Sequence, residues 1–389
     1  MDWLPITSAV GILASLSGIC AFFFWLEKST GWKLFQYLPP LIFIYLAPVI
    51  LSNTGVLPTS SPVYTEMKNL LLPMMLILLL LNVNIGAALR VLGKGVGVML
   101  FGTLGVMIGA PIGLWVVKGW LGPDAWKAFG VLAGSWIGGT GNMAAVSEMI
   151  DASGADIGLA VIGDSTIYIV WLPILLGSKK FAGWFATYTG VADDRIERME
   201  AAAAAEFSET RAIKTVDVLY LLCIALTATW LADLAANLLP VRKPYLDVGT
   251  WRMLLITSIG IGLSFTKLGK IPGSHEMGMA FVYLYVARMG ATAALEQVAD
   301  QAFPFIAGAL IWIFIHGAFC LLGAKLLKVD VHTAAIASAA NIGGAASAPV
   351  VASHHKESLV PASILMALIG YAVGNFAAYA TALLCRMVS

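Results

Sequence analysis

Gly134-Ser-Trp-Ile-Gly-Gly-Thr-Gly-Asn-Met-Ala-Ala-Val146 and Ala339-Ala-Asn-Ile-Gly-Gly-Ala-Ala-Ser-Ala-Pro-Val-Val351 carry nearly the same pattern 205 residues apart. Each sets a diglycine and a small polar side chain (Asn142, Ser347) inside an otherwise apolar segment. Gly-Gly and Pro at bilayer depth interrupt a helix, and lipid does not tolerate the freed backbone groups unless they line a cavity or meet other protein. Paired interruptions in the two halves of an apolar chain are the sequence signature of a transporter's binding site.

Composition sets the class. The 389 residues are 59% hydrophobic and 12% charged, with mean hydropathy +0.87, whereas soluble domains carry about 25% charged residues. The expectation is an all-α polytopic membrane protein. A net charge of +1 argues neither for nor against nucleic acid, and no Lys/Arg cluster suggests it, so no nucleic-acid partner is expected. Cys20, Cys223, Cys320 and Cys385 fall in apolar segments at no metal-ligand spacing and read as small buried hydrophobes. Residues 1–27 lack the basic start of a signal peptide and run into a second apolar stretch, so they read as the first span.

With about 20 apolar residues per span, twelve candidates emerge: 8–26, 34–53, 69–89, 95–118, 128–149, 157–177, 215–238, 250–266, 276–295, 303–327, 332–353 and 358–385. The polar stretch 178–214, with Asp193-Asp-Arg-Ile-Glu-Arg-Met-Glu200 and the alanines 201–205, has alternating charges and helix-forming residues. It reads as a surface linker helix. Its lysines and arginines put it in the cytoplasm, with the whole in the cell membrane. The first repeat is then 1–177 and the second 215–389. Asn84-Ile-Gly-Ala-Ala-Leu89 aligns with Gly290-Ala-Thr-Ala-Ala-Leu295, and Leu159-Ala-Val-Ile-Gly163 with Met366-Ala-Leu-Ile-Gly370. Inverted repeats need an odd number of crossings per unit, and the count is six. Either one stretch fails to cross, or the linker hides a crossing, or the repeat is parallel; inverted repeats with one miscounted segment and paired discontinuous crossing helices are the preferred reading.

Chemistry-bearing residues sit around the breaks. Gly138, Gly139 and Gly141 unshield the backbone, while Thr140 and Asn142 add oxygens. Exposed carbonyls suit a cation, and the following half-helix, beginning at Asn142, presents a positive end suited to an anion. Close helix packing through small residues is the competing explanation. Asp164, at mid-span beside Ser165, Thr166 and Tyr168, is costly there and reads as a cation ligand or proton carrier. Glu148 could complete that cation site. Asn341, Gly343, Gly344, Ser347 and Asn375 would face a solute. Arg288, an arginine inside a strong apolar run, could clamp a carboxylate or neutralise Asp164. His316 reads as structural. Trp32, Trp120, Trp126 and Trp251 fit an interfacial belt.

Gly138-Gly-Thr-Gly-Asn-Met-Ala-Ala-Val146 resembles the Gly-Gly-Thr-Ala-Ser-Asn stretch of bile acid:sodium symporters. The wider chain, including Glu27-Lys28 and Leu38-Pro-Pro-Leu-Ile-Phe-Ile-Tyr-Leu46, is similar to the YjcL-like bacterial membrane protein family. Both resemblances point to the clan that also holds cation:proton antiporters and sodium:glutamate symporters. They imply a mobile core, here 128–177 and 332–385, moving against a scaffold, and sodium or substrate ligands at Thr140 and Asn142. Gly141 departs from the symporter pattern, so bile acid is not implied.

The expected function is secondary active transport of a small polar, anionic organic solute (organic acid, amino acid or short peptide) coupled to sodium at Thr140, Asn142 and Asp164, or to protons. The alternative is a cation:proton antiporter without organic substrate. No GxxxxGK[ST] loop or enzyme constellation appears, so neither a cofactor nor catalysis is expected. The partners are the solute, the ion and the bilayer; a homodimer is left open.

Overall fold

A computed structural model describes residues 5–32, 34–37, 39–192, 194–206, 211–243, 245–293 and 299–389. Among these no β-strand forms, as the all-helical expectation requires. The helices of eight residues or more are α1 (Ala9–Thr30), α2 (Pro40–Asn53), α3 (Pro62–Leu81), α4 (Ile85–Leu92), α5 (Lys94–Val117), α6 (Ala125–Met149), α7 (Gly154–Ser178), α8 (Ala182–Thr189), α9 (Arg195–Glu206), α10 (Thr215–Leu238), α11 (Val248–Ser264), α12 (Ser274–Ala291), α13 (Ala299–Leu327), α14 (Val331–Ile342), α15 (Gly344–His355) and α16 (Val360–Val388). Seven segments, built on α1, α3, α5, α7, α10, α13 and α16, are long and apolar enough to cross a membrane. The apolar α2 and α11 are shorter.

The two glycine motifs do not make crossing helices. Each makes a hairpin, which corrects the expectation of discontinuous crossing segments. In α6 the chain reverses at Gly139, whose φ of 73° and ψ of −174° are closed to side-chain-bearing residues. A Cβ added to Gly134 would lie 2.7 Å from the Cα of Met143, although nine residues of straight helix span about 13.5 Å. At the base of this first hairpin, Lys127 Nζ donates to the carbonyl of Asp151 at 2.8 Å. The second hairpin is α14 and α15, turning at Gly343 and Gly344, the latter at φ 56°. Its base is closed by His332 and His355, whose Nδ1 atoms are 2.9 Å apart. Two of the twelve apolar stretches, 128–149 and 332–353, therefore return to the end from which they came.

The hairpins enter from opposite ends of the bundle. The second has its base where α7 gives way to the linker: His355 bonds the carbonyl of Leu175, and Lys179 donates to that of His354, both at 2.9 Å. The first has its base at the far end, where Thr250, in the first turn of α11, donates to the carbonyl of Met149 at 3.1 Å.

Two packed groups surround them. Helices α1, α2, α3, α10, α11 and α12 pack mainly on one another, and α5, α7, α13 and α16 pack on the hairpins and among themselves. Helices α5 and α13, which the sequence put in the scaffold, thus keep company with the hairpins. Glycines along α5 make a groove for α13: Gly97 faces Leu327, Gly105 faces Phe319, and Gly113 faces the carbonyl of Gly308. This order shows the two helices to be antiparallel along their length. The close approach is the usual gain from small residues between helices in lipid. The linker is two helices rather than one. Arg195 on α9 pairs with Asp330 and donates to Thr333 Oγ1 at 2.9 Å, while Glu200 bonds Lys356 and Ser358. It thereby holds both ends of the second hairpin.

Candidate functional site

The hairpin tips meet. A Cβ built on Gly344 would lie 3.5 Å from the Cα of Gly139. Only glycine-on-glycine contact lets two reversing backbones come this close, so the diglycines serve both the turns and their meeting. The first arm of each hairpin ends at the tip and the second begins there, so one helix C-terminus and one N-terminus per hairpin converge on the centre. No side chain caps the N-terminus of α15.

Beside the tips lies Asp164 on α7. Its Oδ2 accepts from Ser135 Oγ and its Oδ1 from Trp136 Nε1, each at 2.8 Å. Both donors come from the first arm of the first hairpin, one turn ahead of its diglycine. A carboxylate keeps further lone pairs beyond these two bonds, and Asp164 is among the residues lining a cavity of about 830 Å³. Thr140, Ser165, Tyr168, Gly343, Gly344, Ser347 and Tyr371 line it as well. The Tyr168 and Tyr371 rings lie against the tips, with ring carbons 3.5 and 3.4 Å from a Cβ built on Gly343 and Gly139 respectively. From this floor the walls follow the last turns of α1 (Glu27, Gly31), α7 (Leu176) and α15 (Ser353, His354). Those turns all lie toward the linker, so the cavity extends from the tips to that end. Pockets of about 300–1,000 Å³ hold small organic molecules.

Other expected residues lie elsewhere. Asn142 is buried over Gly138, donates to the carbonyl of Tyr371 at 3.1 Å and does not reach the cavity lining. Asn341 is buried against α5, hydrogen-bonded with Thr103 Oγ1 at 3.0 Å. Asn375 is buried and donates to Thr257 Oγ1 at 2.7 Å. These three amides join the hairpins and α16 to their neighbours. Glu148 and Arg288 sit together near the far end: Glu148 pairs with Lys68, accepts from the Tyr285 hydroxyl at 3.0 Å and lies 3.9 Å from Arg288. Arg288 also donates to the carbonyl of Tyr64 at 3.1 Å. Arg288 therefore neutralises Glu148, not Asp164, and neither residue lines the cavity. His316 is fully buried between the carbonyl of Gly102 and Ser338 Oγ, both at 2.9 Å. The Gly102 carbonyl can only accept, so Nδ1 is the donor to it: a structural histidine, held at both ring nitrogens.

Sequence reasoning missed Ser135 and Trp136 as partners of Asp164, although both stand in the quoted motif. Their place on the hairpin face toward α7 follows from the chain reversal, which a linear reading did not include. Glu27 was read only as the exit of the first span.

A family profile described as a protein of unknown function, DUF819, matches residues 14–388. The chain belongs to the DUF819 family. It is also similar to the uncharacterized membrane protein YjcL of Bacillus subtilis (strain 168), with 25% identity over 346 residues that cover 84% of this chain and 85% of that protein. This likeness and the apolar helices identify the DUF819 chain as a membrane protein.

Proposed function

We propose that this protein is a secondary active transporter working by alternating access, with Asp164 holding the coupling cation, sodium or proton, and the hairpin tips seating a small polar organic solute. One observation carries the reading: two helical hairpins, inserted from opposite ends, touch beside a carboxylate at the floor of a cavity open to one end. Neither the glycine turns nor a carboxylate at that depth is cheap to maintain in lipid, and a carrier uses both.

The same geometry supports inverted repeats. With one stretch in each half doubling back, five helices per half run through: α1, α2, α3, α5 and α7, then α10, α11, α12, α13 and α16. Five is odd, so the second half is inverted relative to the first. The antiparallel packing of α5 on α13, which hold equivalent places, is what inversion requires and parallel repeats forbid. The mobile core comprises the hairpins with α5, α7, α13 and α16, larger than 128–177 plus 332–385; the other group is the scaffold. With the linker in the cytoplasm by its basic residues, the cavity is the inward-open state of a cell-membrane carrier.

A cation:proton antiporter without organic solute is the second reading, favoured by Asp164 being the lone carboxylate on the cavity floor. Alternating access itself is tested with Thr140→Cys on a background lacking Cys223, which is the exposed native thiol among buried ones. A membrane-impermeant maleimide is expected to label it from the linker side, and from the opposite side in a fraction of molecules that grows during turnover. Labelling confined to one side under every gradient would remove the carrier reading.

A further inference from the structure

We propose that the solute is an organic cation, and that it competes with a proton for Asp164. The assignment rests on the carrier reading above and departs from the anionic solute the sequence suggested. Among the described lining residues there are two carboxylates, Glu27 toward the mouth and Asp164 at the floor, and neither lysine nor arginine. The Glu27 carboxylate makes no ion pair among the described residues. Arg288, the side chain suited to an anion, is committed to Glu148 and Tyr64 at the far end.

Helix ends do not reverse this balance. Each hairpin brings an N-terminus of about +0.5 charge and a C-terminus of about −0.5 to the tip, so their contributions largely cancel. What remains at the floor is the full charge of Asp164. The walls then fit a cation with apolar substituents: Phe24, Trp32, Tyr168, Tyr283 and Tyr371 line the cavity. The Tyr168 and Tyr371 rings lie against Gly343 and Gly139 at the tips, and ring faces attract cations.

Competition follows from charge. Ser135 and Trp136 leave further lone pairs of Asp164 open, but a proton on one of them removes the negative charge that would hold an ammonium. Entry of the cation releases the proton to the cavity water, and reprotonation releases the cation, which is exchange. The other titratable groups facing this cavity are Glu27 on α1, His354 on α15, Tyr168 on α7, Tyr283 on α12 and Tyr371 on α16.

The test is binding to the purified full-length protein in detergent, read by tryptophan fluorescence, since Trp32 lines the cavity and Trp136 bonds Asp164. Tetraethylammonium chloride is titrated against sodium benzoate and sodium chloride. Saturable quenching by tetraethylammonium alone is expected, tightening by up to about tenfold per pH unit while Asp164 is protonated. Asp164→Asn should weaken it at least about a hundredfold and flatten the pH slope. Glu27→Gln, near the mouth and so a safeguard should the floor variant not fold, should weaken it by about three- to tenfold. Saturation by benzoate without tetraethylammonium, binding of neither, or binding indifferent to both substitutions overturns the cation assignment. The Thr140→Cys labelling is independent of it, so two-sided access with failed cation binding would leave the carrier reading standing.

Discussion

Replacing Gly139 tests the hairpin directly, because the cost of each side chain there can be worked from the geometry. At φ 73°, ψ −174° the residue occupies a region open essentially to glycine alone, so any Cβ costs about 1–3 kcal/mol of backbone strain. Space is a separate matter. A Cβ would lie 3.4 Å from the ring of Tyr371 and 3.9 Å from the Cα of Gly344, which is close to ordinary contact, so Gly139→Ala should cost little beyond the strain. Leucine adds three carbons between touching tips and should cost a further 1–3 kcal/mol, roughly, through overpacking, for a total of about 2–6 kcal/mol. Gly344 offers a second such position: its φ of 56° is likewise one that side-chain-bearing residues rarely adopt, so alanine there should also cost about 1–3 kcal/mol. Gly177, with open space around it and a helical backbone, should accept alanine neutrally or with a gain of about 0.5–1 kcal/mol. The assay is thermal unfolding of the detergent-solubilised variants, followed by size-exclusion fluorescence and by maleimide labelling of Thr140→Cys. The expected order of stability is Gly177→Ala first, Gly344→Ala and Gly139→Ala together, and Gly139→Leu last. A leucine variant as stable as the parent, with unchanged labelling, would mean that the chain does not reverse at this residue.

Asp164→Asn should abolish gradient-driven accumulation in proteoliposomes. Opposite unit charges about 3 Å apart at an effective dielectric of about 20 are worth roughly 5 kcal/mol, whereas folding should change by only about 1–2 kcal/mol because the amide can still accept from Trp136 and donate to Ser135; full accumulation would exclude the residue from coupling. Arg288→Ala should lower thermal stability by about 1–2 kcal/mol through the lost bond to the Tyr64 carbonyl, since Glu148 keeps Lys68 and Tyr285, yet leave fluorescence titrations of the cavity unchanged; altered ligand selectivity would return Arg288 to the site. Gly113→Val places a Cβ 2.5 Å from the carbonyl of Gly308 and should cost about 1–3 kcal/mol by prising α5 from α13, visible as a lower melting temperature. Glu200 titrates below the usual carboxylate range because Lys356 and Ser358 hydrogen-bond its charged form. A depressed carboxyl stabilises above its unfolded value and loses that contribution as pH falls through its folded one. Hydrogen exchange at residues 195–206 should therefore rise in acid below about pH 4.5, and Glu200→Gln should show the faster exchange already at neutral pH.

Composition and span length alone determined that this chain lives in a bilayer as helices, since too few charges exist to clothe a soluble surface. The two glycine motifs were legible for the same reason: a diglycine and an amide are conspicuous where lipid demands continuous apolar helix. Asp164 stood out by the same cost. What the linear pattern could not supply was direction. Apolarity is the same for a segment that crosses and for one that turns back, so the six-per-half count could not be resolved until Gly134 was found against Met143 and His332 against His355. Partnerships were equally hidden. Ser135 and Trp136 reach Asp164 because the first hairpin lies on α7, and Arg288 meets Glu148 because α12 passes the base of that hairpin, contacts between residues 28 to 140 positions apart that no spacing rule encodes. The sequence determined which groups are too costly to be idle; tertiary packing decided which of them face the cavity, because burial against a neighbour and exposure to a central space look alike along a strand of text.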